Sequence, residues 1–295
     1  MAFRYIFMAI LIALIFGFNS VVVKMGVKSV NPLMYAAWRY MLVWPLLLFV
    51  PRPKTSWKNI VLASSTVGGT VTLAAVILHL GVGAGLASVM MQTQVFFTAI
   101  FAIWLWKEWP TRYGWIGMTI AFTGVSCIAL RMGEEVSILG IFLTLCAAIC
   151  WAANNIVFRK VRESNIVHMM VWGSLVMPLP LMLLSAIFYG PLSVIENPLN
   201  FSSLTISSIL FSGFVSGLGG SILSGILLKH NPVTVVAPFM LLVPVSSLIF
   251  AYCILEETLT LISTVGCILV LMGLAINQCG QREKGARGLV EVEAE

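Results

Sequence analysis

Ten times along this chain a run of about twenty residues passes almost without charge, with Pro, Gly, charged or other polar residues marking most of the ends. The runs are Tyr5–Val23, Leu33–Val50, Ile60–Leu80, Gly83–Trp106, Tyr113–Leu130, Ile138–Phe158, Val167–Phe188, Leu204–Leu228, Pro232–Leu255 and Leu259–Cys279. Helix rising about 1.5 Å per residue needs about 20 residues to cross a hydrocarbon core roughly 30 Å thick. The pattern therefore predicts an all-α membrane protein of ten transmembrane helices, with no sizeable soluble domain. Composition agrees, since 9% of residues are charged against about 25% in soluble domains. In water such a chain would expose far more apolar surface than soluble monomers tolerate. Arg39 is the one Lys, Arg or Glu inside any of these runs, and the chain holds no Asp.

The net charge of +6 does not point to nucleic acid, because the basic residues form no stripe interleaved with aromatics. They sort instead by membrane side. Thirteen of the 17 Lys and Arg fall at span ends or loops on the side of the N-terminus; Lys24, Lys28 and Arg131 lie opposite. The positive-inside rule then places both termini in the cytoplasm with an even number of spans. The N-terminal run carries no convincing signal-peptidase site and is read as retained. All six cysteines lie in apolar runs without disulfide or metal spacing and read as small packing residues.

The chain also repeats itself. At a shift of 135 residues Asn19 meets Asn154 and Lys24 meets Arg159. At a shift of 149, Gly68 meets Gly217, Thr72 meets Ser221, Glu108 meets Glu257, Gly117 meets Gly266 and Gly124 meets Gly273. The expected units are two five-helix repeats, 1–133 and 134–280, followed by a disordered cytoplasmic tail, 281–295. An odd number of spans per unit makes the repeats inverted, a transporter arrangement in which the halves exchange roles as access alternates.

Several segments carry a family resemblance over nearly the whole length: Trp38-Arg-Tyr-Met-Leu-Val43, Ala84 through Thr98 with Gln92-x-Gln94, Asn154 within Trp-Ala-Ala-Asn, and Val236 through Val245 followed by Glu256-Glu257. On these the chain resembles the EamA branch of the drug/metabolite transporter superfamily, and within it the exporters of O-acetylserine and cysteine. Val95 stands where many relatives have proline. The resemblance implies a central cavity lined by the first, third, fourth, sixth, eighth and ninth spans, a small-molecule substrate, a bacterial inner-membrane location and no enzymatic activity.

Asn19 and Asn154 sit deep in helices, where an amide facing lipid would cost on the order of 1–3 kcal/mol, so both are expected to face protein or the cavity. The alternative to substrate contact is helix-to-helix bonding. Asn155 points about 100° away from its neighbour and is expected to pack. Gln92 and Gln94 lie about 200° apart on a regular helix, so they cannot both face one way; neutral amides suit an amino-acid substrate. Phe16 and Trp151 precede the asparagines by three residues and either shape the cavity or pack. Arg39 reads either as a substrate-carboxylate anchor or as a helix-end arginine. Pro238, Pro244 and Gly217 are the expected gating positions, prolines by freeing carbonyls and Gly217 by letting helices slide. No carboxylate lies in mid-membrane, so no coupling ion is assigned and the proton gradient stays a candidate driving force. No cofactor or metal site is expected; the assembly is a monomer or homodimer in lipid.

The function expected is export of small polar metabolites, amino acids of the cysteine pathway, by a secondary carrier. Transport of other metabolites in either direction, aromatic amino acids or drugs included, is the alternative. A membrane enzyme would need clustered acids, histidines or a nucleophile, and His79, His168 and His230 are dispersed.

Overall fold

The computed structural model describes residues 3–107, 109–129, 137–160, 165–194, 201–230, 239–240 and 242–293. Among them every regular element is helical: α1 (Phe3–Gly26), α2 (Pro32–Met41), α3 (Trp57–His79), α4 (Ala84–Met91), α5 (Gln94–Trp106), α6 (Arg112–Ala129) and α7 (Ile138–Lys160). Then follow α8 (Ile166–Gly173), α9 (Pro178–Tyr189), α10 (Ser203–Leu210), a π segment (Phe211–Gly220), α11 (Ser221–His230), α12 (Leu242–Leu255) and α13 (Leu261–Glu293).

Five helical stretches are long and apolar enough to cross a bilayer: Phe3–Gly26, Trp57–His79, Ala84–Leu105, Ile138–Val157 and Ser203–Ser224. Val167–Gly173 and Pro178–Tyr189 form a sixth if taken as one span bent by 41°. Leu242–Leu255 and Thr264–Asn277 are apolar but shorter. The run Leu33–Val50 is one 10-residue helix followed by a 3₁₀ turn over Trp44–Leu48. Pro45 supplies no backbone N–H there, so the α-helical pattern cannot pass through it. The last helix continues through Glu293, where a disordered tail was expected. A helix already nucleated by its apolar part extends one bond per residue, and the stretch beyond Cys279 contains no proline.

Large apolar side chains cover the outside: Trp104, Ile187 and Leu261 are 77%, 74% and 80% exposed. Such a surface is stable against lipid chains and unstable against water. At several helix crossings the buried layer is built from small residues. A Cβ on Gly17 of α1 would lie 2.0 Å from Ser246 Oγ of α12, so only glycine permits this approach.

The seam between α6 and α13 carries the repeat into three dimensions. A Cβ on Gly117 would lie 2.4 Å from the Gly273 carbonyl, and one on Gly273 would lie 2.5 Å from the Gly117 carbonyl. Seven residues further along α6, Gly124 stands 2.6 Å from the Gly266 carbonyl by the same measure. Contact moves up one helix as it moves down the other, so these repeat-equivalent helices run antiparallel. Gly117 touches the repeat counterpart of Gly124, and Gly124 the counterpart of Gly117, the reciprocal pattern of a two-fold axis. The backbone agrees at a second place. Lys107 and Glu256, 149 residues apart, are the described non-glycine residues with positive φ, at 59° and 55°.

Candidate functional site

Three expected site residues gather around the π segment. Its sequence, Phe-Ser-Gly-Phe-Val-Ser-Gly-Leu-Gly-Gly, supplies the wide turn, because a Cβ on Gly217 would press to 3.0 Å on the Ser212 carbonyl five residues back. π turns inside α-helices occur frequently at functional sites. Ser212 Oγ donates to Asn19 Oδ1 at 2.7 Å. On the neighbouring face Gly217 lies against Arg39, whose Nη2 would be 3.4 Å from a Cβ there. One step on, Gly220 gives way to the Phe16 ring, which also packs with Ala9, Ile12 and Leu227. Asn19, Arg39 and Phe16 are thus brought onto one element by glycines and a serine.

Above this group a ladder of hydroxyls ties α10 to α1. Ser208 Oγ donates to the Val22 carbonyl at 2.7 Å and lies 2.6 Å from Tyr35 Oη, while Thr205 Oγ1 reaches the Gly26 carbonyl at 3.3 Å. Arg39, in the last turn of α2, is half-buried and has no ion-pair partner among the described residues. Its position at a helix C-terminus suits a cation.

A second group lies where α7 meets α3 and α5. Asn154 is 3% exposed, and Thr66 Oγ1 donates to its Oδ1 at 3.4 Å. Each paired asparagine therefore accepts from a hydroxyl of the opposite half, and among the described residues neither Nδ2 has a hydrogen-bond partner. Trp151 is half-buried three residues before Asn154. Asn155 Nδ2 donates to Thr98 Oγ1 at 3.3 Å, which fits its expected packing role, and Thr98 Oγ1 donates to the Gln94 carbonyl at 2.8 Å.

Gln92 and Gln94 flank a break in the fourth apolar run rather than two points on one regular helix. Between α4 and α5 the backbone bonds Thr93 N to Met90 O, Val95 N to Gln92 O and Phe96 N to Thr93 O all span three residues. Such a 3₁₀ turn within a span is tighter than α-helix and often marks a hinge. Thr93, fully buried, donates its hydroxyl to the Met90 carbonyl at 2.8 Å. Gln94 Oε1 is buried with no partner, an unsatisfied acceptor inside the bundle.

Of the gating positions, Gly217 lies in the π segment and Pro244 is buried in α12; Pro238 lies outside the described residues. Sequence reasoning missed Ser246 and Ser247, which follow Pro244. Ser246 Oγ donates to the Ala13 carbonyl at 2.9 Å and Ser247 Oγ to the Ala84 carbonyl at 3.3 Å, joining α12 to α1 and α4. Their signal was faint: two hydroxyls in an apolar run. His79 is exposed with Nδ1 2.9 Å from the Val27 carbonyl, in keeping with a solvated helix end. A cavity of about 40 Å³ lies among Tyr40, Ala63, Ser64, Val67, Met169 and Gly173.

Antiparallel equivalent helices, a seam of hydroxyls between halves and amides held deep in apolar helices define a membrane transport protein built by duplication. The chain belongs to the EamA-like transporter family, which it matches twice, over residues 3–130 and 138–278. It is 33% identical over 284 residues to a protein of Salmonella typhimurium named "Probable amino-acid metabolite efflux pump", covering 94% of this chain and 95% of that one. An Escherichia coli protein of the same name is 33% identical over 291 residues, covering 95% and 96%. An uncharacterized transporter of Bacillus subtilis is 26% identical over 287 residues, covering 93% and 92%. One solved crystal structure superposes with a TM-score of 0.64 at 14% identity, covering 93% of this chain and 96% of that one, a likeness of fold.

Proposed function

We propose that this protein is a secondary carrier of the bacterial inner membrane that exports small polar metabolites, amino acids of the cysteine pathway, by alternating access. In this reading ten spans form two inverted repeats, 1–133 and 134–280, with both termini cytoplasmic, and the protein is not an enzyme. The observation that carries it is the reciprocal antiparallel contact of Gly117 with Gly273 and Gly124 with Gly266. Two equivalent halves of opposite orientation give a pathway with two equivalent ways to open. The names of the Salmonella and Escherichia relatives support amino-acid export.

The candidate substrate contacts follow. Asn19 and Asn154 present Nδ2 donors to a carboxylate, and Gln92 and Gln94 offer acceptors to an ammonium group at the hinge of the fourth span. Phe16 and Trp151 shape the apolar wall, Arg39 attracts the carboxylate, and Pro238, Pro244 and Gly217 let helices bend and slide. The proton gradient is the driving force proposed.

Counterflow in proteoliposomes tests the reading with O-acetylserine, cysteine and a panel of other amino acids at two pH gradients. Saturable exchange of O-acetylserine or cysteine is expected. Saturable exchange only of aromatic amino acids or drugs removes the substrate assignment, and no exchange of any compound removes the carrier.

A further inference from the structure

The strongest polar cluster lies away from the groups above, where α1 ends. Lys24 Nζ sits 2.6 Å from Glu257 Oε1, with side chains 17% and 18% exposed. It is the ion pair present among the described residues, and it joins positions 233 residues apart. Lys24 Nζ also donates to the Val82 carbonyl at 3.0 Å. The carboxylate accepts from the first backbone amides of α4, Ala84 N to Oε1 at 3.0 Å and Gly85 N to Oε2 at 3.4 Å. The positive end of that helix favours the anion. A Cβ on Gly83 would stand 3.0 Å from Oε2, so glycine there lets the carboxylate settle on the helix end. Glu256, in the left-handed region at φ 55°, turns the chain so that its neighbour is aimed inward.

We propose that Lys24, Glu257 and the first turn of α4 form a latch that closes this face of the bundle and opens once in each transport cycle. The inference rests on the carrier reading, and adds to it which residues hold one gate shut. Three elements meet here: the end of the first span, the start of the fourth, and the loop between α12 and α13. A permanent clamp would be better built from buried apolar contacts. A lysine on a flexible stem, partly exposed and paired at a single carboxylate oxygen, can instead be withdrawn toward water without disturbing packed side chains. The carboxylate keeps its helix-end amides when Lys24 withdraws, so opening leaves no bare buried charge. At the corresponding repeat positions the sequence has Arg159 and Glu108. Glu108 lies outside the described residues, and we confine the proposal to the Lys24 pair.

The test reports gate position directly. Ser20 lies one turn before Lys24 on the same face of α1. In the Ser20→Cys protein, labelling by an impermeant maleimide from the side of the latch is timed, relative to the chain without that cysteine, with and without a panel of amino acids. Glu257→Gln and Lys24→Gln are each expected to speed labelling about fivefold or more, with unchanged membrane yield. Should Glu257→Gln fail to accumulate, Lys24→Gln carries the test alone, because it leaves the α4 amides satisfied. If the Ser20→Cys protein responds to an amino acid but neither substitution alters its labelling, the latch is overturned. If no amino acid changes the parent rate, the amino-acid carrier reading falls, and the latch, which rests on it, falls with it.

Discussion

Asn19 and Asn154 tie helices of opposite halves together and, in the proposed carrier, also offer a donor to substrate. Each Oδ1 is bound by a hydroxyl of the opposite half, which holds the helices together, while each Nδ2 has no described partner. The two purposes separate by mutation. Ser212→Ala removes an interhelical bond of roughly 0.6 kcal/mol, so a fall in Tm of about 1–2 °C in detergent is expected, with transport retained. Asn19→Ala removes a donor worth about 1.5–3 kcal/mol to a charged ligand, so counterflow is expected to fall more than about tenfold with Tm little changed. A large loss of Tm in Asn19→Ala would make the amide a structural tie instead. The depth of both asparagines was legible from hydropathy, and their equivalence from the 135-residue shift. Their partners were not, because Ser212 and Thr66 are ordinary hydroxyls in helices, where such groups commonly bond their own backbone. Gln94 could be singled out as polar in an apolar run, but not as an unsatisfied acceptor, since that depends on which neighbours fail to reach it.

Helices were readable from apolar run length, and their interruptions were not. Hydropathy carries no mark that the fourth run breaks at Gln92–Thr93 or that the eighth widens into a π segment. Both departures rest on a few backbone bonds, and periodicity templates of 3.6 residues average over them. The stripe of Gly213, Gly217 and Ser221 looks like a four-residue sliding face, yet the wider turn directs Gly213 and Gly217 toward α2 and Gly220 toward α1. The α6–α13 seam was prefigured by matched glycines, and its tightness gives a firm expectation. A side chain at Gly124 would meet the Gly266 carbonyl and Val270 N. Gly124→Leu should therefore destabilise the fold by about 1–3 kcal/mol through overpacking, read as a lowered Tm, while Ile116→Leu, on the exposed face of the same helix, should leave Tm nearly unchanged. Equal Tm values for both would mean that the seam does not hold the halves together.

The inverted arrangement proposed for the whole molecule rests on arithmetic in the sequence: five expected spans per repeat, two repeats, and basic residues concentrated on one side. Sidedness is directly measurable. Fluorescent-protein fusions at either terminus should be bright and alkaline phosphatase fusions there inactive, whereas phosphatase fused after Lys28 should be active. An active phosphatase at the C-terminus would reverse the assignment. Long-range partnerships such as Lys24 with Glu257 were beyond the sequence, because nothing local relates residues that meet only when both halves have assembled. Gly117, Gly124 and Gly273 leave no room for a methyl group where the two copies touch. Since the contact is reciprocal, a carbon added to either copy along this line displaces the other, and the constraint falls on both halves of the duplication at once.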